Sequence, residues 1–171
     1  MNLLVIIILS AIVLPTAYVW LKGAPTVSTA KSRIAEIIST AQISEKDTVC
    51  DLGAGIGNVM IGIAQKTGAR VIGYELAPIS FLIGWLNIKL RSLNNCELHF
   101  GDLFKANLSS TTVVFCFLMP KMLPRLRDKI RLEARSDTKI ISFAFPVPEL
   151  TPYATIQDNK KPAVYFYKIA G

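Results

Sequence analysis

Three carboxylates stand at or just past the ends of stretches rich in strand-forming residues. Asp51 lies in Thr48–Leu52, Glu75 follows Arg70–Tyr74, and Asp102 follows Cys96–Phe100. After Asp51 come Gly53, Ala54, Gly55, Ile56 and Gly57, with glycine at every second position. Glycine permits a sharp strand-to-helix turn and lets a ligand approach the backbone. An acid placed like Glu75, followed by Leu76, suits the two hydroxyls of an adenosine ribose at the carboxyl edge of a sheet. Asp102, followed by Leu103, is placed to accept an adenine amino group, although on its own an aspartate there is also an ordinary turn residue. A nicotinamide dinucleotide site also uses a glycine-rich first turn with an acid about 20 residues later. Its G-x-G-x-x-G spacing fails here, because the third glycine position is Asn58 counting from Gly53 and Met60 counting from Gly55. An anionic Asp51 beside the loop suits an amino group better than a pyrophosphate. S-adenosylmethionine, which carries an ammonium and a sulfonium, fits that chemistry. No metal site is expected.

The elements that must position these residues alternate. Strands are expected at Thr48–Leu52, Arg70–Tyr74, Cys96–Phe100, Thr112–Phe117 and Thr138–Phe143, with helices over Asn58–Thr67, Pro78–Leu93 and Lys121–Glu133. Proline in a helix's first turn is acceptable. Strand–helix alternation implies a parallel sheet with helices on both faces. Ala163–Ile169 has strong β propensity and is expected to add a strand, antiparallel at the end of the sheet. Trp85, with Phe81 and Leu82, is expected to pack its helix on the sheet.

Ahead of this domain, Leu3–Leu21 carries no charged residue, and about 20 apolar residues suffice to cross a bilayer. It lacks the basic start and small-residue cleavage site of a secretory signal. Tyr18 and Trp20 stand where interfacial aromatics are expected, and Lys22, Lys31 and Arg33 follow, which keeps the domain on the cytoplasmic side. The expected division is a transmembrane anchor over residues 1–22, a linker and N-terminal helix over 23–47, and a cofactor-binding domain over 48–171. Ser28 or Thr29 can cap the N-terminal helix, whose apolar positions are Ile34, Ile37, Ile38 and Ala41. The net charge of +7 suits an anionic membrane face. There is no zinc-finger spacing or aromatic RNA-binding signature, so a nucleic-acid partner is not expected. Cys50, Cys96 and Cys116 read as reduced core residues.

The chain resembles the class I S-adenosylmethionine-dependent methyltransferases. Within them it is similar to the membrane-anchored lysine methyltransferases of ATP synthase subunit c and the adenine nucleotide carrier, with archaeal protein lysine methyltransferases as soluble relatives. The likeness rests on the N-terminal apolar segment, Gly23-Ala24-Pro25 with Val27 and Thr29, the Asp51 loop, Gly73-Tyr74-Glu75, Phe117-Leu118-Met119-Pro120 and Phe143-Ala144-Phe145-Pro146. Where that family usually has Asp-Gly-Arg this chain has Ile56-Gly57-Asn58, and where it has proline this chain has Ser28. The resemblance implies a Rossmann-like sheet flanked by helices behind one transmembrane helix. It also implies cofactor contacts at Asp51, Gly53, Gly55, Glu75 and Asp102, with Thr29 and Phe117 or Leu118 lining the site.

Methyl transfer from a sulfonium is an in-line displacement in which positioning supplies most of the catalysis, so no catalytic residue is assigned. The expected function is methylation of a lysine in a membrane-associated protein. The alternatives are methylation of a lipid, quinone or other small apolar molecule, and a cofactor-binding module without turnover. His99, the only histidine, reads as structural or exposed. Lys121, Arg125, Arg127, Lys129 and Arg131 form a basic helix, either a solvated face or one meeting anionic lipid.

Overall fold

The computed structural model describes residues 31–158 and 161–169, together with Asn2. Most of the expected anchor and the first part of the linker, with Thr29, lie outside the described residues. Among the described residues no helix is long and apolar enough to cross a membrane.

Helix α1 (Lys31–Ala41) leads into β1 (Thr48–Leu52), α2 (Asn58–Thr67), β2 (Arg70–Glu75), α3 (Pro78–Leu90) and β3 (Cys96–Phe100). After a single 3-10 turn at Leu103–Lys105 come β4 (Val113–Cys116), a second 3-10 turn at Pro120–Met122, α4 (Leu123–Glu133), β5 (Lys139–Phe143), β6 (Ala154–Asp158) and β7 (Lys161–Lys168). The strand order is β3-β2-β1-β4-β5-β7-β6. The first five strands are parallel, while β7 runs antiparallel to β5 and β6 antiparallel to β7. The order reverses direction between β1 and β4, which is where open α/β sheets bind ligands, at the carboxyl ends of the strands.

Two apolar clusters sandwich the sheet. One joins α1, α2 and α3 through Ile34, Ile37, Ile61, Ile63 and Ile88. The other packs Leu123, Leu126 and Ile130 of α4 against Leu52, Val114 and Ile140. Each fully buried aliphatic side chain contributes about 1.5–3 kcal/mol, so α4 is anchored mainly by three residues on one stripe. Its basic face is largely paired within the protein. Arg127 bridges Asp128 and Glu149, Lys129 reaches Glu133, and Arg125 lies over the Phe104 ring at 3.8 Å. This favours the solvated-face reading over lipid contact for α4.

Several expected boundaries shift. α3 ends at Leu90 rather than Leu93, because Ser92 turns to φ 50°. β4 is shorter than expected by one residue at each end. α4 starts at Leu123 because Pro120–Met122 winds as a 3-10 turn first. β6 was not expected at all. The expected role of Trp85 and Leu82 is corrected outright: they are 43% and 61% exposed, and the side of α3 that packs inward carries Ser80, Gly84 and Ile88 instead.

Candidate active site

β1 carries the first acid into the middle of the sheet. Asp51 is 2% exposed, and burial first, then the negative charge of Glu75, pushes its carboxyl up to about 8. A carboxyl under that constraint gains a great deal from a nearby cation. The loop that follows turns on backbone angles reserved for glycine, with φ of 90° at Gly53, 57° at Gly55 and 82° at Gly57. A Cβ at Gly55 would meet nothing within 4 Å, whereas one at Gly53 would stand 3.3 Å from Leu118 Cδ2. The loop is therefore open at Gly55 and walled at Gly53 by Leu118, just past the end of β4.

The second strand holds the loop in shape. The N–H groups of Gly53 and Ala54 both donate to the Tyr74 carbonyl at 3.0 Å. The Glu75 carboxylate accepts from the Gly55 N–H at 2.7 Å through one oxygen and from the Ala77 N–H at 2.6 Å through the other. Each oxygen offers two lone pairs, so both retain capacity for a diol. This stapling role is a function of Glu75 that sequence spacing did not reveal. Two further residues were missed. Gly84 lets α3 sit directly on the loop, since a Cβ there would stand 3.1 Å from the Gly55 carbonyl oxygen. Asn87 Nδ2 donates to the Ile56 carbonyl at 3.3 Å. A glycine inside an otherwise helical pattern was the available signal for the first.

Asp102 sits at the next strand end, where the Gly101 N–H donates to the Glu75 carbonyl at 2.9 Å. Its Oδ1 accepts from the Phe104 N–H at 2.9 Å and caps the turn that begins with Leu103. The turn role is thus real, and it uses one oxygen of the two. On the other side of the loop, Leu118 is buried against Gly53, and the half-buried Phe117 ring lies 4.9 Å from that of Phe143. Ala144, next in chain, adopts φ 71° and donates its N–H to the Ala163 carbonyl at 2.8 Å. Non-glycine residues held at such angles cluster at functional sites. The Phe117–Pro120 and Phe143–Pro146 segments therefore meet beside the loop.

Leu76 lies between Glu75 and Ala77, within the staple, and is exposed. The remaining sequence candidates stand apart. His99 is half exposed, stacked on Tyr74 at 5.3 Å and 3.7 Å from Glu97. Burial pushes the thiols of Cys50, Cys96 and Cys116 up to about 12, which removes them as nucleophiles. Among the described residues no group of His, Cys, Asp and Glu could hold a metal. A buried carboxyl for a cation, open glycine backbone and an acid with spare lone pairs make a donor set that fits a cationic adenosyl cofactor.

The family model described as the ANTKMT methyltransferase domain matches residues 51–154, from the buried acid to the start of β6. The chain belongs to this methyltransferase family. It is 26% identical over 150 residues to a protein-lysine N-methyltransferase of Saccharolobus islandicus, covering 85% of this chain and 93% of that one. It is 32% identical over 126 residues to the mouse adenine nucleotide translocase lysine N-methyltransferase, covering 71% of this chain but only 53% of that protein's length. Among solved structures it is similar to an RNA methyltransferase from Salinibacter ruber in complex with S-adenosyl-L-homocysteine. The TM-score there is 0.79 at 30% identity, over 84% of this chain and 94% of that one. The protein is a methyltransferase of the protein-lysine methyltransferase family with a Rossmann-like methyltransferase fold, and S-adenosylmethionine is its cofactor. The reading as a binding module without turnover is thereby set aside.

Proposed function

We propose that the protein methylates the ε-amino group of a lysine in a membrane-associated protein. In this reading Asp51, Gly53, Ala54, Gly55, Gly57, Glu75, Asp102 and Leu103 hold the cofactor, with Leu118, Phe117, Leu76 and Thr29 around it. The observation that carries the methyl-transfer part of this reading is the buried Asp51 beside a glycine loop that Glu75 has already stapled open. When bound, S-adenosylmethionine supplies a methyl group activated on a sulfonium. The chain's own task is then to aim an amine along the line of displacement and keep it uncharged.

A lysine ammonium has an ordinary pKa of about 10.4 and must lose its proton to water before its lone pair takes the methyl group. Apolar walls favour the neutral amine, and Phe117, Leu118 and Phe143 provide such walls beside Gly53. Lysine as acceptor is supported by the names of the archaeal and mouse relatives. Membrane association is supported by the uncharged run Leu3–Leu21 and the basic residues after it, with the domain on the cytoplasmic side.

The test supplies the full chain and methyl-labelled cofactor to separated membrane and soluble fractions, then maps the label. Label on a lysine of a membrane-fraction protein is the expected result. Label confined to an organic extract would make the acceptor a lipid or quinone, and label in RNA would make it a nucleic acid. Either outcome overturns the proposal.

A further inference from the structure

Helix α3 is mostly apolar, and its outward face is the more apolar one. Inward it presents Ser80, Gly84 and Ile88. Outward, Ile79, Leu82, Ile83, Trp85, Leu86 and Leu90 are all exposed, from 40% at Ile79 to 73% at Leu90. Scattered exposed apolar residues need no explanation, but a contiguous set on one face marks an interaction surface. These six lie on one side of a 13-residue helix, a strip about 20 Å long. A contiguous apolar strip of that size is ordinarily covered, by protein or by lipid.

We infer that the outward face of α3 lies in the interface of an anionic lipid bilayer. Three observations select that occupant. The first is charge: the buried Arg33 is paired with Glu36, which leaves Lys31, Lys66 and Lys89 on α1, α2 and α3 with no further acid on these helices, and α3 has no acid at all. The second is the form of the strip: its aromatic is a tryptophan, with Lys89 Nζ 5.9 Å from the ring centroid. A tryptophan beside a lysine whose stem lies along apolar surface and whose ammonium reaches water is the arrangement of a bilayer interface. The third is the position of the chain's start. α1 and α3 cover the same face of the sheet, joined through one apolar cluster. Lys31, where α1 begins, follows the uncharged run ending at Leu21 by ten residues, a reach of at most ~35 Å. If that run spans a bilayer, the face bearing α3 is held close to it.

This inference extends the membrane-side reading above and is tested without using methyl transfer. The sequence has two tryptophans, Trp20 and Trp85, so W20F in the full chain leaves Trp85 as the sole indole. The chain is reconstituted into vesicles of phosphatidylcholine and phosphatidylglycerol, with plain or brominated acyl chains. The expected result is a blue-shifted emission maximum and strong quenching by brominated lipid. Both should weaken when phosphatidylglycerol is omitted and be lost in the L82Q/L86Q variant, whose exposed substitutions leave the core untouched. Equal emission in plain and brominated vesicles overturns the inference. Shielding of Trp85 that grows with protein concentration without lipid would assign the face to a second copy. Shielding at every concentration that ignores lipid would assign it to the chain's own N-terminal segment, and each of these also overturns the inference. Loss of the lysine-methylation reading would leave the quenching result standing, and absent quenching would leave methylation standing.

Discussion

Cofactor affinity should depend on pH through Asp51. Its carboxyl, ordinarily near 3.8, is raised to about 8 by burial and by Glu75. At pH 7 roughly a tenth of the cofactor-free protein therefore carries Asp51 ionised, and each further unit downward reduces that fraction about tenfold. A cationic ligand selects the ionised form, so the dissociation constant should fall about tenfold per unit between pH 6 and 8, about 1.4 kcal/mol per unit, and level off above that. Up to one proton should be released per cofactor bound at pH 7. Titration calorimetry in buffers of different ionisation enthalpy measures both quantities. D51N is the control: it retains any titration of the cofactor's own amino group, so the slope due to Asp51 is the difference between the two proteins. The sign for stability follows from the same shift. Between about 4 and about 8 the unfolded chain has lost this proton and the folded chain keeps it, so cofactor-free stability should fall as pH rises through that window. A wild-type dissociation constant that is flat from pH 6 to 8, or an identical slope in D51N, would refute the reasoning.

E75A removes the acceptor of two loop N–H groups, and each buried donor left unpaired costs about 1–3 kcal/mol. Melting temperature should drop and cofactor affinity should weaken sharply, with E75Q intermediate; unchanged affinity would overturn the stapling role. G84A places a methyl 2.8 Å from Leu98 Cδ2 and 3.1 Å from the Gly55 oxygen. Overpacking of this kind costs about 1–3 kcal/mol, and weakened cofactor binding measured by calorimetry should accompany it. L126A empties a fully buried site under the opposite face, with an expected loss of about 2–5 kcal/mol in denaturant melts and cofactor affinity unchanged in the fraction that remains folded.

Much of the site was legible because its chemistry depends on residue types at strand ends. Asp51, Glu75 and Asp102 fall where β1, β2 and β3 finish, and these three strands match their expected positions to within one residue. Less legible were the things that depend on what faces what. β6 is an edge strand whose residues are all partly or fully exposed, so Ala154–Asp158 had no buried alternation to betray it. α3 misled for the opposite reason: its more apolar side, with Leu82, Trp85 and Leu86, faces outward while Ser80 and Gly84 lie on the side that turns to the sheet, so a rule that turns the apolar side inward picks the wrong one. Glu75 falls at the end of β2 as expected, but its loop contacts were invisible, because backbone donors leave no mark in the side-chain pattern. Asn87 reaching Ile56 lies 31 positions away in sequence, a distance over which spacing carries no information.

The position of β1 between β2 and β4 also shapes how the protein is made. β2 pairs with β1 after a short crossover, but β4 closes the other edge only through the register Val49↔Val113 to Leu52↔Cys116. During synthesis the glycine loop and its Tyr74 and Glu75 anchors are complete long before Leu118 arrives to wall it. Until then the strand that becomes the centre of the sheet is an open border, with Val49, Cys50 and Leu52 beside unpaired amides and carbonyls. A chain broken off between Glu75 and Val113 would therefore be more than inactive. It would expose a ready template for intermolecular pairing, and the products of early termination should partition into the insoluble fraction.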